Sequence, residues 1–237
     1  MNVIYIVLII LIAIFFITDI LRKKFINALL WIVIGGLFYM LISSIITPIE
    51  FKKVRDARYA EVIENLKDIR ESQLAHRTVK GNYSNSWDGL INFIEKDSFT
   101  ITQRRDSSFE YVDPIDKITK LRDTVLIDTL RFVSVKDSLF KDSDRYKKMM
   151  FVPTAPEGTK FDLKAGFIEK ENDNAKQPVF EVKIAKAVVL HDQDKDLIAQ
   201  ENEVISVDQV NGAYLKVGSM DRVDTNGNWP KVYGSND

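Results

Sequence analysis

No cysteine occurs among the 237 residues, and histidine occurs only at His76 and His191. The first absence excludes a disulfide framework, a thiolate nucleophile and thiolate-held metal. The second leaves no pair of ligands at zinc-site spacing, so both histidines are read as solvated residues. An excess of one charge is missing too, with 33 basic residues set against 34 acidic ones. Only Asp19, Arg22, Lys23 and Lys24 carry charge before position 50, so the remainder holds 30 basic and 33 acidic residues, a net −3. A weakly acidic body offers no basic face to phosphates, which predicts no nucleic-acid partner. Walker, Rossmann and Gly-x-Ser-x-Gly patterns are also lacking. The expectation is a protein that is not an enzyme and holds no cofactor.

What is present begins with two apolar runs. Ile26–Ile49 (INALLWIVIGGLFYMLISSIITPI) carries no charge and, at ~1.5 Å per helical residue, reaches the ~30 Å of a bilayer core. Val3–Leu21 is apolar except for Thr18 and Asp19, and it lacks the basic start and small-residue end of a cleaved signal peptide. Residues 1–49 are therefore expected to form a transmembrane helical hairpin turning at Arg22-Lys23-Lys24. Asp19 is expected at the interface beside those bases. Positive residues favour the cytoplasmic side, so the turn predicts a two-pass protein of a bacterial inner membrane with its body in the periplasm. Lys52, Lys53, Arg55 and Arg58 pull the other way. Gly35, Gly36, Ser43 and Ser44 are small enough to let membrane helices approach closely, and are candidate interaction residues.

After residue 50 the pattern becomes amphipathic without a break. Val62, Ile63, Leu66 and Ile69 recur at three- and four-residue spacing, which predicts a stalk helix over residues 50–80 that Gly81 stops. The stripe Val62, Leu66 and Ile69 either packs on the protein's own sheet or meets a partner helix. Residues 81–237 are expected to form an α+β domain. It starts with a helix over Trp87–Lys96 capped by Ser86. A short strand from Phe99 is closed by Arg104-Arg105-Asp106, and residues 106–122 form a connecting excursion. Two short strands lie at Thr124–Thr129 and Arg131–Lys136, and an irregular helix spans Lys136–Met150. The clearest β signal is a hairpin, Lys160–Lys170 with Val179–Leu190, where Phe161, Leu163, Ala165 and Phe167 alternate. Glu203–Gln209 and Gly212–Gly218 read as further strands. Asp221, Asp224, Asn226 and Asn228 are weak candidates for a metal such as calcium, but Gly227 comes too early for an EF-hand loop.

Over residues 65–94 the order of features resembles type IV pilins and type II secretion pseudopilins. The matching residues are Ile69-Arg70, Gln73, Ala75, Lys80-Gly81-Asn82-Tyr83 and Leu90-Ile91. That resemblance implies a long N-terminal helix packed on an antiparallel sheet. A pilin's basic leader and peptidase site have no counterpart, so a pilin-like domain retained in the membrane is expected rather than a processed subunit. The whole chain also resembles a family of bacterial envelope membrane proteins with a hairpin-plus-domain layout, which implies no activity. The resulting expectation is a structural component of an envelope machine, secretion- or pilus-like. It would contact the lipid bilayer and other envelope proteins, self-association included. The alternative is an extracytoplasmic ligand- or ion-binding sensor that depends on a partner for output.

Overall fold

The computed structural model describes residues 3–17, 23–112, 114–115, 117–170 and 173–234. It divides into a unit over Met1–Lys53 and a second over Val54–Asp237. The first contains helix α1 (Val3–Ile17) and the beginning of α2 (Lys23–Lys80), a single helix of 58 residues. Among the described residues α2 alone is long and apolar enough to cross a membrane, and no residue of its apolar window is buried. The 15 residues of α1 cover roughly 22 Å at ~1.5 Å each, short of a bilayer core. Lys23 and Lys24 open α2 rather than forming the expected turn. Asp19 and Arg22 lie outside the described residues, as does any turn between the helices. Pro48 sits inside α2, where the ring costs one intrahelical hydrogen bond without ending the helix.

In the second unit α2 ends at Lys80 because Gly81 adopts φ +82°, while its N–H donates to the Arg77 carbonyl at 2.8 Å. The stripe Val62, Ile63, Leu66 and Ile69 is fully buried there, together with Leu90, Ile94, Phe180, Val182, Leu215 and Val217. Helix α3 (Trp87–Lys96) starts where Ser86 Oγ accepts the Gly89 N–H at 3.2 Å. Its buried face is Leu90, Phe93 and Ile94.

The β structure forms two small antiparallel sheets, so the class is α+β. One is a ribbon of β1 (Ser98–Val112) and β2 (Thr119–Ser134). The other has the order β3-β4-β5, made of Asp162–Lys170, Asp173–Ala185 and Tyr214–Gly218. Paired residues share a face, so Leu163/Val182, Ala165/Phe180 and Val182/Val217 turn one face inward. Gly218 has φ +76°, and a Cβ there would lie 2.2 Å from the Phe180 carbonyl oxygen, so only glycine fits.

Several expected boundaries are corrected. Arg104-Arg105-Asp106 does not close β1, which runs on to Val112, and the expected excursion is largely strand. The two short runs after Thr124 are one 16-residue strand, interrupted only by Leu130, the unpaired residue of a bulge opposite Ile101/Thr102. Lys136–Met150 is not one helix. It contains the end of α4 (Val135–Leu139) and a single 3₁₀ turn at Arg145–Lys147. Lys186–Val189 leaves the sheet as the short helix α5. The charged run after His191 caps a helix, α6 (Lys195–Asn202), with Asp194 Oδ1 accepting two backbone N–H groups. Glu203–Gln209 is loop, not strand. It is held by Gly212 N–H to the Val204 carbonyl and by Ser206 N–H to Asn211 Oδ1.

Candidate functional site

Three places in the second unit gather chemistry or unsatisfied surface. The first is a buried ion cluster. Arg55 of α2 donates from Nη1 to Glu201 Oε2 of α6 at 2.7 Å. From Nε and Nη2 it donates to Asp56 Oδ1 at 2.9 and 2.8 Å. Lys186, at the start of α5, has no exposed surface. Its three N–H groups reach Glu201 Oε1 at 3.1 Å and the Glu201 and Val210 carbonyls at 2.7 Å each. Tyr59 donates to the same carboxylate at 3.4 Å. Burial holds the Lys186 ammonium below the ordinary lysine range, with Glu201 opposing that shift. An ammonium has three donors and all are used, on an anion and on the last turn of a helix, where a cation is favoured. The cluster is a clamp joining α2, α5, α6 and the segment before β5. It leaves the lysine no N–H for a substrate.

A smaller clamp repeats the logic at the surface. Arg58 binds Asp192 through both carboxylate oxygens, at 2.6 and 2.8 Å, and the Val189 carbonyl at 2.9 Å. The guanidinium holds the Asp192 carboxyl well below the usual carboxylate range.

The second place is a cleft of about 330 Å³ between the loop before α3 and strand β3, lined by His76, Tyr83, Asn85, Ser86, Gly89 and Phe167. Nδ1 of His76 lies 2.6 Å from the Asn82 carbonyl, which fixes the proton on that nitrogen, and its ring meets Phe93 edge-on at 4.8 Å. Apart from His76 and the Tyr83 phenol, the described lining residues carry no titratable side chain, so the imidazole has no carboxylate or amine beside it on the wall.

The third is the ribbon. At ~3.3 Å per residue, 15 and 16 residues make an arm of roughly 50 Å. Among the described residues neither strand has another neighbour. The ribbon is rooted where Asp97 O accepts the Val135 N–H at 3.1 Å and where β2 meets α3 and α4. Leu121, Ile127, Leu130 and Phe132 are 58–69% exposed, values normal for a surface lysine and unusual for a row of apolar residues.

The residues singled out from sequence scatter. Gly35, Gly36 and Ser44 are exposed on α2 and Ser43 half-buried, and a Cβ on either glycine would meet nothing within 4 Å. Val62, Leu66 and Ile69 fill the protein's own core, out of reach of a partner helix. Asp224 Oδ1 accepts the Asn226 N–H at 2.9 Å, and its other oxygen pairs with Arg222 at 3.0 Å. Asn228 completes β5's edge: its N–H donates to the Lys216 carbonyl at 3.1 Å and its Oδ1 accepts the Lys216 N–H at 2.9 Å. Asp221 is exposed. These four serve a turn, and among the described residues no cluster of three His, Asp or Glu could hold a metal. Sequence reasoning missed Lys186 and Glu201, and it read the ribbon only as short separate strands rather than as two long paired ones. The ribbon's one signal was the β-branched and apolar content of residues 121–133.

No protein-family model, curated protein or solved structure matches the chain.

Proposed function

We propose that the protein is a non-enzymatic, membrane-anchored component of a bacterial envelope assembly, acting through protein–protein contacts. The observation that carries this reading is the ribbon: a long arm with two open edges and exposed apolar side chains, a combination that monomeric proteins suppress. Support comes from α2, whose apolar part has the length of a membrane span and whose stripe Val62, Leu66 and Ile69 is buried in the core of the second unit. In this reading α2 is the anchor in the inner membrane, Gly35, Gly36, Ser43 and Ser44 serve packing on other membrane helices, and the body is periplasmic.

The test is affinity purification of the full chain from native membranes, beside a variant in which residues 104–127 are replaced by Asn-Gly. Gln103 and Asp128 face each other across the ribbon, so a two-residue turn can join them. Loss of co-purifying envelope proteins with an unchanged melting temperature is expected. Partners retained by the shortened variant sink the reading. A second reading, a ligand-binding sensor, is favoured by the cleft at His76. Metabolite-induced stabilisation of the full chain that disappears in Phe167→Ala would support it.

A further inference from the structure

We infer that β2 is built to be an inner strand, and that the neighbour it lacks is β2 of a second copy of this chain. The inference rests on the ribbon being the contact surface proposed above and names its partner. The two strands of the ribbon are unlike. The middle of β1, Thr102-Gln-Arg-Arg-Asp-Ser-Ser108, is seven polar residues in a row, the composition of a strand that ends a sheet. Facing it, the middle of β2 contains Val125-Leu126-Ile127, which puts apolar side chains on both faces at once. That is the composition of a strand flanked on both sides. Yet the outer edge of β2 is open among the described residues. Pairing two copies through that edge gives the order β1-β2-β2-β1, with the polar strands outside.

The charges on β2 suit its own reverse. In an antiparallel pair centred on Val125, Arg122 of each copy stands opposite Asp128 of the other, on one face of the sheet. Asp128 already receives Arg105 from the neighbouring β1 on that face, so Arg105, Asp128 and the second copy's Arg122 make a row of alternating charge across three of the four strands, and the two-fold axis repeats it from the other side. Val125 meets Val125, and Thr124 meets Leu126. Asp123 is set against Ile127 and Leu121 against Thr129, and Asp123 keeps its bond from Ser108 Oγ at 2.8 Å. A two-fold contact of this kind uses the same patch twice and closes on itself, which satisfies the open edge without generating a filament.

The absence of cysteine makes the test clean. Residues facing themselves across a two-fold axis in a sheet lie about 4.5–5.5 Å apart at Cα, within disulfide reach. Val125→Cys and, as the outer-strand control, Ser107→Cys are introduced singly into the full chain and oxidised in native membranes. Val125→Cys is expected to give a band of doubled mass that reductant removes, and Ser107→Cys is expected to stay single. The register is tested with two differently tagged charge reversals, Arg122→Glu and Asp128→Lys. Each alone is expected to lose self-capture, and co-expression of the two restores it, because each mixed contact then joins opposite charges. A doubled band from Ser107→Cys alone, from neither variant, or a cross-link from Val125→Cys only to other proteins overturns the pairing. If shortening the ribbon loses other envelope proteins while Val125→Cys stays single, the assembly reading stands and the self-pairing falls. If Val125→Cys is cross-linked but the shortened variant keeps those partners, the opposite holds.

Discussion

The buried clamp around Glu201 and the ribbon are both polar, non-repetitive regions of the same unit, and they treat unsatisfied groups in opposite ways. In the clamp, each Lys186 donor has an acceptor and residues more than a hundred positions apart are drawn together. Along the ribbon, two full strand edges and a row of apolar side chains are left to the surroundings. A buried ion network costs several kcal/mol in desolvation per charge and is kept where it fixes one arrangement of elements. An open edge is a liability that natural proteins blunt unless something pairs with it. The contrast separates a part whose polar groups close on one another from a part whose edges and apolar side chains stay open, the part that the proposal assigns to a partner.

The comparison is broken most severely at the clamp. Glu201→Leu leaves Lys186 buried with no carboxylate and Arg55 with Asp56 alone, and is expected to cost about 3–5 kcal/mol, read as a large fall in the urea midpoint of the full chain in detergent. Next is Leu66→Ala, which opens a cavity under the α2 stripe and is expected to cost about 2–5 kcal/mol, checked by the same melt. A charge at the same position should abolish folding of the unit. Val125→Lys reverses the balance: less than about 0.5 kcal/mol in stability, because the side chain enters solvent, but complete loss of self-capture in a two-tag pull-down. The smallest effect is Asp192→Asn. Its carboxyl is held below the unfolded value, so its contribution is present above about pH 4 and drains away as the pH falls further. The pair is half exposed, so a loss of about 0.2–1 kcal/mol at pH 7 that shrinks in melts near pH 3 is expected.

What could be read from sequence divides along the same line. The end of α2 at Gly81, the Ser86 cap and the inward face of β3 and β4 as far as Ala165 were legible because each depends on residues close in the chain, through a left-handed glycine, a hydroxyl cap or a period of two; Phe167, read onto the same face, is 56% exposed. The clamp was not, since Arg55 and Glu201 become neighbours only through the packing of α2 on α6, and an isolated lysine after a strand looks like any surface lysine. The middle of β1 was illegible for another reason. Thr102–Ser108 has no alternation to read, and its extended form comes from cross-strand hydrogen bonds to β2 rather than from its own composition. The residues Asp221–Asn228 were ambiguous in sequence, since Asx side chains that serve a backbone turn, as Asp224 and Asn228 do, are the same types that ligate calcium.

Leu130 has a consequence for which side of the arm is oily. Sequence parity would send Val125 and Ile127 to one face and Phe132 to the other. The bulge shifts the count by one, so that Ile101 faces Arg131 while Thr102 faces Thr129. Phe132, opposite Thr100, therefore joins Leu121, Val125 and Ile127 on a single face. One supernumerary residue acts as a phase reset, returning the greasy residues at the shoulder of the arm to the face they occupy towards its tip, with Asp123 and Thr129 between them.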